Sequence, residues 1–383
     1  MTPIRYGMIG GGQGAFIGGV HRTAAAIAGQ WQLVAGAFSS TPEKSRASGA
    51  EIGVPADRTY GSWAEMLERE KALPADQRIE VVAIVTPNHM HAPPAIAALE
   101  AGFDVIIDKP LADTLANAQS IADAAARSGR KIAVTHTYTG YPLVKQARAM
   151  IASGELGAVR RVMVKYTQDW LSRADDIAGN KQAEWRVDPA RSGEAGAFGD
   201  IGTHAANLVE FITGERIAAI CAELNMLPGR RIDDDGAALF RLSGGGKGTL
   251  TASQVCVGDA NDLAISVYCA DASLHWRQEE PNTLTVGRRD RPTELWNAGA
   301  NRAYLPADLL AIQRTPGGHP EGYLEAFANI YAAFGRAIRG IASDSGEPGF
   351  ATMDDAIAGM KFIRASLESS RQGAVWVDLS TIS

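Results

Sequence analysis

Short apolar runs rich in valine and isoleucine recur through the first third of the chain, at residues 4–9, 32–38, 81–85, 104–107 and 131–134, and each reads as a strand. Between them, residues 94–101 and 115–128 space alanine and leucine at helical intervals and are built from good helix formers. Strands that alternate with helices form βαβ units, and successive units predict a doubly wound parallel sheet, the α/β class.

After residue 141 the rhythm changes. A helix over 142–153 stops at Gly154, a strand follows over 159–168, and a second helix lies near 202–213. Strand-like segments then crowd together at 217–224, 236–242, 248–257, 263–269, 272–278 and 283–287, with a glycine turn at Gly244-Gly245-Gly246. Strands bunched in this way predict a large open, mostly antiparallel sheet in an α+β domain. The tail returns to helix at 322–339 and 353–370. A chain of 383 residues exceeds what one core usually supports, so we expect two domains, residues 1–140 and residues 141–383.

Composition narrows the function. Charged residues make up 21% and the net charge is -6, with basic clusters no larger than the pairs Arg160-Arg161, Arg230-Arg231 and Arg288-Arg289. Phosphate backbones are bound by dense Lys and Arg, so nucleic acid is not expected as a partner. No stretch approaches the roughly 18 apolar residues that cross a bilayer, and the N-terminus lacks the pattern of a signal peptide. The expectation is a cytoplasmic protein without a membrane partner. Cys221, Cys256 and Cys269 are odd in number and form no C-x-x-C pair, which predicts core thiols rather than a disulfide framework or a metal site.

Directly after the first strand comes Gly10-Gly11-Gly12-Gln13-Gly14-Ala15, followed by Phe16, which fits G-x-G-x-x-G/A with Ala15 in the last place. Such glycines let the backbone approach a pyrophosphate, while the helix that follows presents N–H groups and a positive dipole end to it. The alternative, a tight turn with no ligand, is weakened by the strand before it and the βαβ units after it. An acid at the end of the second strand usually takes a ribose hydroxyl. Here the segment reads Ser39-Ser40-Thr41-Pro42-Glu43-Lys44. Ser39, Ser40 and Lys44 suit a 2'-phosphate, so the expected cofactor is NAD or NADP; Ser40 or Thr41 equally suits a helix cap.

Three further motifs carry chemistry. Thr86-Pro87-Asn88 with His91 lies at the carboxyl end of a strand, where open α/β sheets bind ligands. The next strand ends in Asp108-Lys109-Pro110, and a lysine there faces the crevice or, in isolation, plain solvent. Within Gly199-Asp200-Ile201-Gly202-Thr203-His204, Asp200 and His204 are four apart and share a face if the stretch is helical. A carboxylate beside an imidazole raises its basicity and orients it for proton transfer. Read alone, the same pair is a helix cap and a satisfied core histidine.

The order of these motifs resembles the glucose-fructose oxidoreductase, inositol dehydrogenase and MocA family (Gfo/Idh/MocA), over essentially the whole chain. The resemblance implies a Rossmann domain and an open-sheet domain used for homodimer or homotetramer contacts. It implies NAD(P)-dependent hydride transfer at a secondary alcohol of a sugar, anhydrosugar or cyclitol, with Lys109, Asp200 and His204 catalytic. His204 is then the acid or base, Lys109 the cation that stabilises the alkoxide, and Asp200 the group that orients His204. Asp108 stands where the family has Glu, and Asn207 where many members have Asp. Gln168, Trp170, Trp185 and Arg186 resemble positions that line sugar pockets, with core packing the alternative for the two tryptophans; Tyr138 is expected near nicotinamide or substrate, and His319 either closes over the substrate or is an exposed turn histidine. An NAD-dependent glycoside hydrolase and a ligand-sensing regulator are the alternatives within the family.

Overall fold

The structure is a computed structural model that describes residues 2–173, 177, 179–343 and 346–383. It divides into two compact units, Met1–His136 with Phe327–Ile357, and Thr137–Ala326 with Ala358–Ser383. The change in periodicity predicts a single boundary near residue 140, with the whole tail on its far side. The return of Phe327–Ile357 has a packing cause invisible to that periodicity. Phe327, Tyr331 and Phe334 form an aromatic cluster with Tyr6, His21 and Trp31 of the first unit, and the Trp31 indole N–H donates to the Tyr331 carbonyl at 3.1 Å.

The first unit contains β1 (Ile4–Gly10), α1 (Phe16–Ala28), β2 (Trp31–Ala37), α2 (Pro42–Ile52), α3 (Trp63–Ala72), β3 (Val81–Val85), α4 (Ala92–Glu100), β4 (Asp104–Ile107), α5 (Leu115–Ser128) and β5 (Ile132–Val134). All five strands are parallel, in the order β2-β1-β3-β4-β5. The doubly wound sheet expected from the sequence is therefore present. Every residue of β3 is buried, as a central strand covered on both faces requires. The strand order reverses between β1 and β3, which makes the carboxyl ends of these two strands the switch point of the sheet.

The second unit contains α6 (Pro142–Ala152), β6 (Val159–Thr167), α7 (Lys181–Arg186), α8 (Pro189–Ser192), a π-helical turn (Phe198–Gly202) that runs into α9 (Thr203–Thr213), and then β7 (Ile217–Asn225), β8 (Asp235–Leu242), β9 (Lys247–Ser253), β10 (Asp262–Cys269), β11 (Ala272–Arg277), β12 (Thr283–Arg288), β13 (Arg291–Asn297) and α10 (Ala307–Ala311). Helices α11 (Tyr323–Ile338) and α12 (Met353–Arg371) each contain a boundary between the units, and β14 (Val377–Asp378) closes the chain. Nine strands form one sheet in the order β13-β12-β11-β10-β6-β9-β8-β7-β14, antiparallel throughout except for β6 with β9. Strand β13 escapes the sequence pattern, because its Arg-Pro-Thr-Glu start hides the alternation; it is an edge strand and needs no continuous apolar side.

Burial alternates along β6, β8 and β10, so one face of this sheet is packed and the other is open. Cross-strand neighbours on the open face run Leu239, Thr249, Met163, Ser266, His275, Thr285, Leu295. Among them Met163, Leu239 and Leu295 are exposed. Of the three cysteines only Cys269 is buried; Cys221 and Cys256 are half-buried, which corrects the expectation of three core thiols. Among the described residues no helix is long and apolar enough to cross a membrane, and no group of three or more His, Cys, Asp or Glu side chains is placed to hold a metal ion.

Candidate functional site

In the first unit the chain leaves β1 through Gly10, Gly11 and Gly14, all at positive φ (83°, 73° and 74°), a backbone that a side chain rarely tolerates. A Cβ on Gly18 would lie 2.3 Å from the Gly11 Cα, so the turn and the first coils of α1 touch through bare backbone. The close helix-to-turn approach thus falls on Gly11 and Gly18, which the spacing rule passes over. Helix α1 begins at Phe16 with no capping side chain on Ala15 and no acid in its first turn. Its first N–H groups and positive dipole end are thereby left to an anion. Helices α2, α3 and α5 are capped, by Thr41 on the Lys44 amide at 3.4 Å, Ser62 on the Glu65 amide at 3.2 Å and Thr114 on the Asn117 amide at 3.2 Å, whereas α4, like α1, has no capping side chain.

The Gln13 amide of the turn donates to the Ser48 hydroxyl at 3.1 Å, and the Gln13 side chain donates to Glu51 at 2.6 Å. Gly12 donates to the Phe38 carbonyl at 3.1 Å, which sets Ser39 and Ser40 beside the turn; Ser40 and Lys44 are exposed. Thr41 is the residue that caps α2, so the capping alternative is realised there and leaves Ser40 uncommitted.

Thr86, Pro87 and Asn88 follow β3, and Asp108 and Lys109 follow β4, which pairs with β3. His91 is fully buried and lies beneath these loops. Its Nδ1 is 3.0 Å from the Pro110 carbonyl and its Nε2 is 2.9 Å from the Thr86 carbonyl. The expected direct contact of His91 with a cofactor is therefore corrected: the imidazole ties one loop to the other. Asp108 is half-buried, and its Oδ1 accepts the Thr135 hydroxyl proton at 2.8 Å. Three buried imidazoles, His21, His91 and His136, feel the Asp108 charge. Burial pushes His21 and His136 down to about 4, helped for His136 by Lys109, and pushes His91 in the same direction.

In the second unit Asp200 sits on the π-helical turn and His204 in the first turn of α9, so one helical run carries both. The run is capped from a distant segment. Asp233 accepts from the amides of Gly196 (2.6 Å) and Phe198 (2.8 Å), and its own carbonyl accepts from Ala197 at 2.8 Å. A Cβ on Gly196 would lie 1.9 Å from the Asp233 carbonyl oxygen, so only glycine permits this approach. Burial lifts the Asp233 carboxyl to about 6, against the pull of the two amides.

Asp200 accepts from the Gln254 side chain at 2.9 Å and pairs with Arg186 at 3.4 Å. The Arg186 guanidinium lies 4.4 Å from the centre of the Trp185 ring and 5.8 Å from that of Trp170. Four residues singled out as pocket candidates are thereby joined to Asp200: Trp170, Trp185 and Arg186 by stacking and charge, and Gln168 through the Trp170 indole N–H, which it accepts at 2.9 Å. His204 is largely buried, and its ring meets Tyr138 edge to face at a centroid distance of 4.8 Å. Tyr138 thus packs on the imidazole, within the second unit.

Sequence reading missed Tyr166, Gln254, Asn261 and Asp233. The Tyr166 hydroxyl donates to Asn261 Oδ1 at 2.7 Å, Gln168 donates to the same oxygen at 2.7 Å, and Tyr138 and Tyr166 share a short hydrogen bond. Since the Tyr166 proton goes to Asn261, the Tyr138 proton goes to Tyr166. Burial pushes both phenols up, so they stay protonated. No local pattern marks these four residues, and the bonded pair Tyr166 and Asn261 lie 95 positions apart. His319 lies in an exposed turn, and its ring makes no hydrogen bond or ring contact among the described residues.

The family model described as oxidoreductase family, NAD-binding Rossmann fold, matches residues 4–136, and the one described as GFO/IDH/MocA C-terminal domain matches residues 144–275. The chain belongs to the Gfo/Idh/MocA oxidoreductase family. An inositol dehydrogenase homologue from Azotobacter vinelandii, solved with NAD+, superposes with a TM-score of 0.92 at 34% identity, covering 98% of this chain and 97% of that one. The uncharacterized oxidoreductase YfiI of Bacillus subtilis is 32% identical over 98% of this chain and 97% of its own length. Levoglucosan dehydrogenase of Pseudarthrobacter phenanthrenivorans is 28% identical over 75% of this chain and 76% of its own. The residues present in this Gfo/Idh/MocA protein fit NAD: the glycine turn at the switch point and the uncapped, acid-free start of α1 form the cradle that a pyrophosphate needs.

Proposed function

We propose that this oxidoreductase moves a hydride between NAD or NADP and a secondary alcohol carbon of a sugar, anhydrosugar or cyclitol. The observation that supports this most is the Asp200–His204 pair on one capped helical run, walled by Tyr138, Trp170 and Trp185, in a chain whose other unit is NAD-binding. Aromatic faces and carboxamides such as Gln168, Gln254 and Asn261 suit the apolar edges and hydroxyls of a neutral polyol. The relatives named for inositol and levoglucosan agree with that class.

Gly10, Gly12, Gln13, Gly14, Ala15 and Phe16 would hold the pyrophosphate, Ser39, Ser40 and Lys44 the adenosine ribose or its phosphate, and Thr86, Pro87, Asn88 and Asp108 the nicotinamide end. When bound, the nicotinamide supplies the acceptor or donor of hydride. His204 takes the proton of the substrate hydroxyl, and gives it back in the reverse direction. Lys109 offsets the negative charge that develops on the oxygen. Asp200, itself held by Arg186 and Gln254, keeps the imidazole oriented. We further propose homodimers or homotetramers through the open sheet face, which the exposed Met163, Leu239 and Leu295 favour.

The test is the absorbance of reduced nicotinamide with myo-inositol, levoglucosan and a panel of aldoses, using NAD+ and NADP+. His204→Ala and Lys109→Ala should each lower kcat by about 10²–10⁴. Full activity in Lys109→Ala would remove that residue from the chemistry, and release of an aglycone without net reduction would favour the glycosidase.

A further inference from the structure

We propose that Thr135 is a positioning residue that holds the Asp108 carboxylate ready for a ligand hydroxyl. Thr135 directly follows β5 and is 1% exposed, and its amide is held by the Ile107 carbonyl at 3.0 Å. Its one hydroxyl proton has two acceptors in range, Asp108 Oδ1 at 2.8 Å and the Ile107 carbonyl at 3.4 Å, and the shorter bond to the charged oxygen is the stronger. Among the described residues Thr135 is the sole hydrogen-bond donor to that carboxylate. One bond therefore fixes the rotation of Asp108 and leaves the lone pairs of Oδ2 for a ligand.

The surroundings add to the effect. His21, His91 and His136 are all buried, and burial pushes each imidazole below its ordinary range while the Asp108 charge pulls the other way. Thr135 is itself closed off from solvent, and a charge-assisted bond made by a buried donor is worth more than one made in water. The short side chain of Asp108 makes the constraint matter. With two torsions to its carboxylate, an aspartate fixed at Oδ1 has little remaining freedom, so the entropy of ordering it is lost on folding rather than on binding.

This inference rests on the proposed contact between Asp108 and the nicotinamide end of NAD, and a double-mutant cycle separates the two. NAD+ affinity of the full-length protein is measured by calorimetry for wild type, Thr135→Val, Asp108→Asn and the double variant, with Thr135→Ser as the conservative rescue. Thr135→Val should weaken NAD+ about tenfold, Thr135→Ser should restore affinity to within about twofold, and Thr135→Val should cost little more in the Asp108→Asn background. If Thr135→Val does not fold, Thr135→Ala takes its place, with folding checked by melting temperature. Additive effects, or a serine no better than valine, would overturn the positioning role while a weak Asp108→Asn variant left the Asp108 contact standing. Unchanged affinity in Asp108→Asn would overturn both.

Discussion

Gly18 and Gly19 are adjacent in α1 and differ in what a methyl group would meet. On Gly18 it would lie 2.3 Å from the Gly11 Cα and 2.5 Å from the Gly11 carbonyl oxygen; on Gly19 it would meet nothing within 4 Å. Backbone atoms cannot rotate aside, so Gly18→Ala belongs at the upper end of overpacking, about 3 kcal/mol. Helix propensity returns about 1 kcal/mol. The net cost is about 2 kcal/mol, whereas Gly19→Ala gains roughly 0.5–1 kcal/mol. At about 2–4 °C per kcal/mol, calorimetry should show Gly18→Ala melting about 4–8 °C below wild type and Gly19→Ala slightly above it. Separation of α1 from the Gly11 turn should also shrink the rise in melting temperature that saturating NAD+ produces. Equal melting temperatures for the two variants, or an intact NAD+ response in Gly18→Ala, would show that the turn yields and that the glycine contact does not shape the cradle.

Asp233 gives a signed pH effect. Its carboxyl is lifted by burial from 3.8 to about 6 in the folded chain, so its stabilising contribution is complete below about pH 4 and is lost as pH rises through 6. A lift of that size corresponds to roughly 3 kcal/mol at most. The stability difference between wild type and Asp233→Asn, from urea unfolding between pH 4 and 7, should change across this window by up to that amount; a flat difference would refute the burial account. Tyr166→Phe breaks the bonds to Tyr138 and Asn261, and should cost about 1–3 kcal/mol and lower kcat through a loosened Tyr138 while NAD+ affinity holds; a parallel loss of NAD+ affinity would argue for general misfolding. Glu70, fully buried, takes two bonds from Arg58 at 2.6 Å and one from Tyr60 at 2.7 Å. Glu70→Gln strands the arginine charge and should destabilise by about 3 kcal/mol in thermal melts; a variant as stable as wild type would show that Arg58 swings to solvent.

The glycine turn, the βαβ rhythm, the lysine after β4 and the Asp200–His204 spacing were legible because each is a local pattern with a local cause. A strand must alternate or run apolar, a helix repeats near every fourth residue, and a tight turn needs glycine at positive φ. Where the cause is not local the reading failed. Strand β13 declares itself only by pairing with β12, through Glu294 opposite Val286 and Trp296 opposite Leu284. His91, read as a ligand contact, lies under the loops it joins.

By itself the sequence determined the class of both sheets and the place of the glycine turn, because periodicity and backbone propensity act over a few residues. Only the tertiary structure decided what surrounds the candidate side chains. Asp233 caps the run that carries Asp200 from 37 positions away, and Asn261 reaches Tyr138 across 123. Phe327 to Phe334 returns to the first unit to fill a cluster around Trp31. Hydrogen bonds and close packing depend on distance in space, and nothing in the local order of residues records which distant segment will supply the partner.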